Sequence, residues 1–259
     1  MERNTAQLWD RVWESPVTTE EDIFNLVKEE NCIRWQRIEV IALKEFGSFN
    51  NLRVIEIRAG AGINAALAAK RGAKVTMLDY SETALKRARE FFERNGLSAE
   101  FIKEDALSLP ADLLGKYDIS MSFGLTEHFK GSERININKA HFDILRKGGI
   151  AFISAPYKYS LPYRIYKFVA ERTGRWGVGE EYPYSRKELR NMCQQIGITE
   201  YSFFFADSLF SSFNFINPFK VIKKMLKIKN NLNISHIEKE RGTFLDQYLS
   251  PSLVLYGKK

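Results

Sequence analysis

Residues 51–90 read NLRVIEIRAGAGINAALAAKRGAKVTMLDYSETALKRARE. Val54-Ile55-Glu56-Ile57 has the apolar continuity of a short buried strand, with one acid near its carboxyl end. Ala59-Gly60-Ala61-Gly62 is a turn of small residues. Ile63 to Lys70 has the Ala and Leu content of a helix, and Gly72 follows it as a stop. Lys74 to Leu78 is a second strand, and Asp79 closes it. Strand, glycine turn, helix, strand and acid form the opening unit of a doubly wound nucleotide-binding sheet. Without a Cβ, Gly60 and Gly62 let a ligand lie against the backbone and the following helix N-terminus. Asp79 is placed to accept both hydroxyls of a ribose.

Gly60-Ala61-Gly62-Ile63-Asn64-Ala65 also fits the dinucleotide pattern G-x-G-x-x-G/A. Two acids argue against that ligand. Glu56 occupies a place where a dinucleotide site keeps an apolar strand residue, and its carboxylate suits an ammonium group better than a pyrophosphate. Asp105 stands in Glu104-Asp105-Ala106, just after a third strand at 100–103, where a dinucleotide enzyme has no expected acid and a carboxylate can accept from an exocyclic amine. Glu56-Ile57-Arg58-Ala59-Gly60-Ala61-Gly62 resembles motif I of the class I S-adenosylmethionine-dependent methyltransferases, acid-x-Gly-x-Gly-x-Gly. The departure is Arg58, in the place of the family's first glycine. Its side chain is expected either to lean into the methionine end of the pocket, shifting the loop, or to point to solvent.

The same resemblance continues along the chain. Ser81 and Glu82 suit the N-cap and first turn of a helix that Gly96 ends. Residues 117–123 read as a fourth strand, followed by the loop Gly124-Leu125-Thr126-Glu127-His128-Phe129. Leu145-Arg146-Lys147-Gly148-Gly149 is similar to the family's turn before strand five, expected at 150–155. The segment 180–189, EEYPYSRKEL, is similar to the stretch that opens the next helix. Residues 198–205 and 252–257 are expected as the last two strands, paired antiparallel. The implied fold is an α/β, doubly wound, mostly parallel seven-stranded Rossmann-like sheet, with helices on both faces and an antiparallel last strand. The resemblance implies S-adenosylmethionine as cofactor, leaving S-adenosylhomocysteine. It places Glu56, Arg58, Ala59, Gly60, Gly62, Asp79, Tyr80, Asp105, Ala106, Phe123 and Gly124 around it.

The organisation expected is a helical cap at 1–50, a core at 51–206 and 250–259, and insertions at 156–183 and 207–241 that cap the substrate. Leu8, Trp9, Val12 and Trp13 have helical spacing, and Thr18-x-x-Glu21 is a capping box. The tryptophans either line the site or staple the helix to the core. In the first insertion, Tyr157, Tyr159, Tyr163, Tyr166 and Trp176 are expected as an aromatic wall over the acceptor. In the second, Phe210, Phe213, Phe215 and Phe219 precede a basic amphipathic run carrying Lys220, Lys223, Lys224 and Lys227. Residues 207–230 therefore read as a cap over the substrate or as a peripheral contact with an anionic membrane.

The 259 residues are 44% hydrophobic and 27% charged, ordinary for one globular α/β domain with decorations. The net charge of +7 is too small by itself to name a partner. Cys32 and Cys193 lie far apart, which suits a reduced compartment and gives no metal-like spacing. No apolar run of signal-peptide type opens the sequence, so the protein is expected in the cytoplasm or peripheral to the inner membrane surface. The asparagine-proline-proline-tyrosine motif of amino methyltransferases is missing after strand four, where Ser122-Phe123-Gly124-Leu125 stands, and no nucleic-acid partner is expected.

Methyl transfer from a sulfonium is an in-line displacement, so positioning supplies most of its catalysis. An oxygen or nitrogen acceptor also needs its proton removed. His128, after strand four, is the candidate base, and Glu127 the residue to orient it. His141 and His236 are weak candidates, and no metal is expected. The function read from these residues is methyl transfer to an O, N or C atom of a small acceptor, lipophilic acceptors included. The alternative is a catalytically impaired protein of the same fold that binds cofactor or product, with Arg58 as the cause.

Overall fold

The computed structural model describes residues 9–10, 17–58, 60–208, 211–212, 234 and 237–259. Ala59, Leu8, Val12, Trp13, His236, the four phenylalanines from Phe210 to Phe219 and the lysines Lys220–Lys227 lie outside the described residues, as does most of 207–230.

Two helices precede the sheet. Helix α1 (Thr19–Asn31) opens with the expected capping box, in which Thr18 and Glu21 satisfy each other's backbone N–H. Helix α2 (Ile33–Phe46) ends at Gly47. The core runs β1 (Arg53–Ile57), α3 (Ile63–Lys70), β2 (Lys74–Asp79), α4 (Glu82–Arg94) and β3 (Glu100–Lys103). Then come β4 (Tyr117–Phe123), α5 (Gly131–Asp143), β5 (Leu145–Pro156), α6 (Leu161–Arg172), α7 (Arg186–Gln195), β6 (Glu200–Phe205), α8 (Asp246–Leu249) and β7 (Ser252–Lys258).

The strands form one sheet in the order β3-β2-β1-β4-β5-β7-β6. Every neighbouring pair from β3 to β5 is parallel, and β7 runs antiparallel to both β5 and β6. The chain winds outward from β1 to β3 and then returns to the other side of β1 with β4. The carboxyl ends of β1 and β4 therefore flank the crevice in which such sheets hold ligands. Helices cover both faces over two apolar clusters, one holding Trp35, Leu67, Phe91 and Phe152 and the other Ile57, Leu145, Ile153 and Leu255.

The strand positions read from sequence match, with one displacement. Leu145-Arg146-Lys147-Gly148-Gly149 is the first part of β5, with Leu145 beside Tyr117 across an irregular register. Gly62 shows why the glycine turn is glycine. It has φ +69°, and a Cβ there would lie 2.5 Å from the Met77 methyl carbon beneath it. The turn is thus pressed onto β2 as well as open to the cleft.

The N-terminal helices are tied to the core by charge. Asp22, 1% exposed, pairs with Arg87 and with Arg94 of α4, the latter at 2.9 Å. Among the described residues no helix is long and apolar enough to cross a membrane.

Candidate active site

The crevice above β1, β2 and β4 contains two hollows. One, of about 290 Å³, is lined by Asp79, Tyr80, Asp105, Ala106 and Leu125. The other, of about 540 Å³, is lined by Glu56, Gly60, Gly62, Phe123, Gly124 and Glu127. Trp9, Arg58 and His128 line both. Each described residue expected at the cofactor thus borders one hollow or the other. Their sizes suit a small-molecule site.

The acids are held by backbone. Glu56, buried on β1, accepts from the Ala65 N–H at 2.8 Å in the first turn of α3. Burial nevertheless pushes its carboxyl up to about 8. Asp79 accepts from the Ser81 N–H at 2.9 Å, which fixes it at the start of α4. Asp105 accepts from the Leu107 N–H at 2.9 Å. All three are acceptor groups carried on strand ends or the turns directly after them.

Arg58 does not point to solvent. Its guanidinium carbon lies 3.7 Å from the centre of the Trp9 ring, in the wall shared by the two hollows. Trp9 in turn meets the His128 ring edge-on at 5.0 Å. The backbone of Arg58 sits at φ 63°, the left-handed region in which the family pattern would place glycine. Burial draws the pKa of Arg58 down, while Glu127 and Asp79 oppose that shift.

Glu127 is 2% exposed, and its Oε2 has no hydrogen-bond partner. Burial, reinforced by the neighbouring Glu181, pushes its carboxyl up to about 8, against the pull of Arg58. A Cβ on Gly124, at φ +85°, would stand 3.3 Å from Glu127 Oε1 and 3.7 Å from Arg58 Nη1. That bare glycine leaves the room in which the acid and the arginine face each other.

His128 is oriented by a different group from the one expected. Its Nδ1 lies 2.9 Å from the Glu180 carbonyl, so that nitrogen carries the hydrogen and donates it. The carbonyl takes the role assigned to Glu127. Burial and the Arg58 charge push the imidazole down to about 3, so it is neutral at neutral pH and a weak proton acceptor. Glu127, closer to neutrality, is the better matched base.

Sequence spacing did not reveal Glu181. It comes from the segment after α6, where the Tyr163 hydroxyl donates to its Oε2 at 2.7 Å and Lys167 Nζ donates to its carbonyl at 2.9 Å. Ligand-capable atoms of Glu127, His128 and Glu181 fall within 4.8 Å of one another. The reading of no metal rested on spacing along the chain, whereas folding gathers three such groups beside the Arg58 cation. The aromatic wall expected from 156–183 is largely turned away. Tyr163 is buried, but Tyr159 and Tyr166 are exposed, and Trp176 packs near Tyr166 at 6.1 Å. His141 is fully buried, bonded to Ser120 at 2.7 Å, and lines neither hollow.

Residues 54–149 match the sequence family described as methyltransferase domain. The chain is 24% identical over 163 residues to ubiquinone biosynthesis O-methyltransferase of Rickettsia prowazekii (strain Madrid E), covering 63% of each. It is 29% identical over 124 residues to the enzyme of the same name from Bordetella avium (strain 197N), covering 48% of this chain and 49% of the relative. The chain thus matches about half to just under two thirds of these relatives' length. Its fold is that of magnesium protoporphyrin IX methyltransferase from Synechocystis PCC 6803, crystallised with bound SAH. That likeness has a TM-score of 0.58 at 13% identity, over 98% of this chain and 93% of that one. The motif around Glu56 and the strand order agree with that match: over residues 54–149 the chain is similar to the S-adenosylmethionine-dependent methyltransferases.

Proposed function

We propose that the protein transfers a methyl group from S-adenosylmethionine to an oxygen of a small, lipophilic acceptor. The observation that carries the reading is the convergence of Glu56, Asp79 and Asp105 with the Gly60–Gly62 turn on one divided cleft. The donor set fits the cofactor. Asp79 offers acceptors to ribose hydroxyls, Asp105 to the adenine amine, and Glu56 a negative charge to the amino-acid end. The cofactor, when bound, supplies a methyl group on a sulfonium.

The chain's own residues orient the acceptor, exclude water and take up a proton. Trp9 and His128, in edge-on contact at 5.0 Å, line both hollows. Glu127, with its unpartnered Oε2 and raised pKa, accepts the proton of the acceptor hydroxyl once ionised. His128 holds a neutral ring beside it. Oxygen is favoured as the acceptor atom because the named relatives are O-methyltransferases.

Arg58 supports a second reading, a protein that binds the cofactor weakly and turns over poorly. Its side chain stands between the two hollows that a single extended ligand must span.

Thermal denaturation separates these readings from a dinucleotide enzyme. S-adenosylhomocysteine at about 100 times its dissociation constant should add roughly 2.7 kcal/mol, and NAD should add nothing. Asp79→Ala should remove most of that gain. Equal shifts with NAD would exclude the assignment. Methyl transfer from labelled cofactor to small phenols then distinguishes an active enzyme from an impaired one.

A further inference from the structure

Helix α6 carries its apolar and polar faces the wrong way round for a helix packed on a soluble core. Towards the protein it turns Pro162, Tyr163, Lys167 and Ala170, with Tyr163 and Lys167 both bonded to Glu181. Outward it turns Leu161, Ile165, Phe168 and Val169, which are 57%, 39%, 59% and 49% exposed. Their spacing of i, i+4, i+7 and i+8 aligns them in one stripe. Tyr159 just before the helix and Tyr248 of α8, 62% and 61% exposed, add to the exposed apolar surface of this region. A clustered apolar surface of this kind marks an interaction site.

Charge indicates the kind of partner. From Lys158 to Trp176 the sequence has five cations and one acid. Arg164, Arg172 and Arg175 are exposed, and Arg172 lies over the Phe168 ring at 5.1 Å. We propose that α6 docks the protein on the surface of a bilayer with anionic headgroups. The apolar stripe would enter the boundary between headgroups and acyl chains, and the long arginine stems would carry their charges at the level of the phosphates. Helix α6 is a different stretch of the chain from 207–230, where a membrane contact is expected from sequence. It also bears on the cleft, because the opposite side of the same helix holds Glu181 beside Glu127 and His128.

The test is co-sedimentation of the full chain with two kinds of vesicle, pure phosphatidylcholine and an equimolar mixture with phosphatidylglycerol. At low salt the protein should pellet with the mixed vesicles and only weakly with the neutral ones, and high salt should release it. The double variant Ile165→Glu, Phe168→Glu and the double variant Arg164→Gln, Arg172→Gln should each weaken partitioning by about tenfold or more. Both change exposed side chains, and circular dichroism with a melting curve checks that they fold. The variant with Lys220, Lys223, Lys224 and Lys227 all replaced by Gln should still bind. Three results would overturn the proposal. One is no pelleting with either vesicle, and a second is loss of binding confined to the lysine variant. The third is a dimer, seen by light scattering, that Phe168→Glu dissociates while vesicles go unbound.

Discussion

Replacing Arg58 tests the most unusual feature of the cleft. At φ 63° a residue with a Cβ costs roughly 1–2 kcal/mol of backbone strain. The stack of its guanidinium on Trp9, at 3.7 Å, returns roughly 0.5–2 kcal/mol. Arg58→Gly and Arg58→Ala both remove the stack, but only glycine relieves the strain. The glycine variant should therefore be about 1 kcal/mol more stable than the alanine variant, measured by urea denaturation. It should lie within about 1 kcal/mol of the parent, because the two effects oppose each other. Binding gives the sharper readout. A ligand that spans both hollows must first break the Trp9 stack, and a cost near 1.4 kcal/mol corresponds to about tenfold in affinity. Calorimetric titration should show S-adenosylhomocysteine binding about tenfold more tightly to both variants. Unchanged or weaker binding in both would refute the argument. It would mean that the guanidinium recruits the ligand, through its carboxylate, instead of obstructing it.

Three further outcomes follow from the buried charges. His141, pushed down to about 3 by burial, takes up its proton more readily in the unfolded chain. Its contribution to stability is complete above about pH 6.5 and is lost below it, at up to about 1.4 kcal/mol per pH unit. His141→Gln should flatten the urea midpoint between pH 7 and pH 5, and a slope parallel to the parent's would clear the histidine. Glu127 behaves oppositely. Its folded pKa is raised to about 8, so its stability is present below its unfolded value near 4.3 and is lost as pH rises through 8. Glu127→Gln should hold its melting temperature from pH 7 to pH 9 better than the parent does, while losing methyl transfer; retained turnover would remove it as the base. Asp22→Ala leaves Arg87 buried without its partner and should cost about 3–5 kcal/mol in urea denaturation. A loss under about 1 kcal/mol would show that water replaces the carboxylate.

What could be read from sequence was what is local or repeated at each strand end. The unit from Val54 to Asp79 encodes its own fold because strand, turn and helix are contiguous and the glycines have few other uses. Glu56, Asp79 and Asp105 could be placed together because parallel strands bring their carboxyl ends to one edge. The direction of Arg58 was not legible, since it depends on Trp9, 49 positions earlier and on a different element. Glu181 was hidden for the same reason. It reaches Glu127 only through the path of α6 and its bonds to Tyr163 and Lys167. The partner of His128 was misread because a backbone carbonyl leaves no mark in the sequence. Composition did reveal the aromatic content of 156–183, but not that much of it faces outward.

These points meet in the charge balance of the cleft. Glu56, Asp79 and Glu127 are buried and Glu181 is half-buried around the two hollows, and uncompensated carboxylates there are costly. The protein meets that cost in two ways. It raises the pKa of Glu56 and Glu127, so that they hold protons near neutrality, and it places the Arg58 guanidinium among the acids. On the proposed function the incoming ligand carries a sulfonium and an ammonium. It therefore brings the positive charge that Arg58 now provides. An arginine in place of the first motif glycine then acts as a resident cation that must yield to the arriving one, at the expense of its stack on Trp9. Binding should also release protons from Glu56 and Glu127, because each new positive charge lowers their pKa. Calorimetry in buffers of differing ionisation enthalpy measures that release directly. A binding enthalpy independent of the buffer at pH 7 would show that the carboxyls are already ionised and that Arg58 alone balances the cleft.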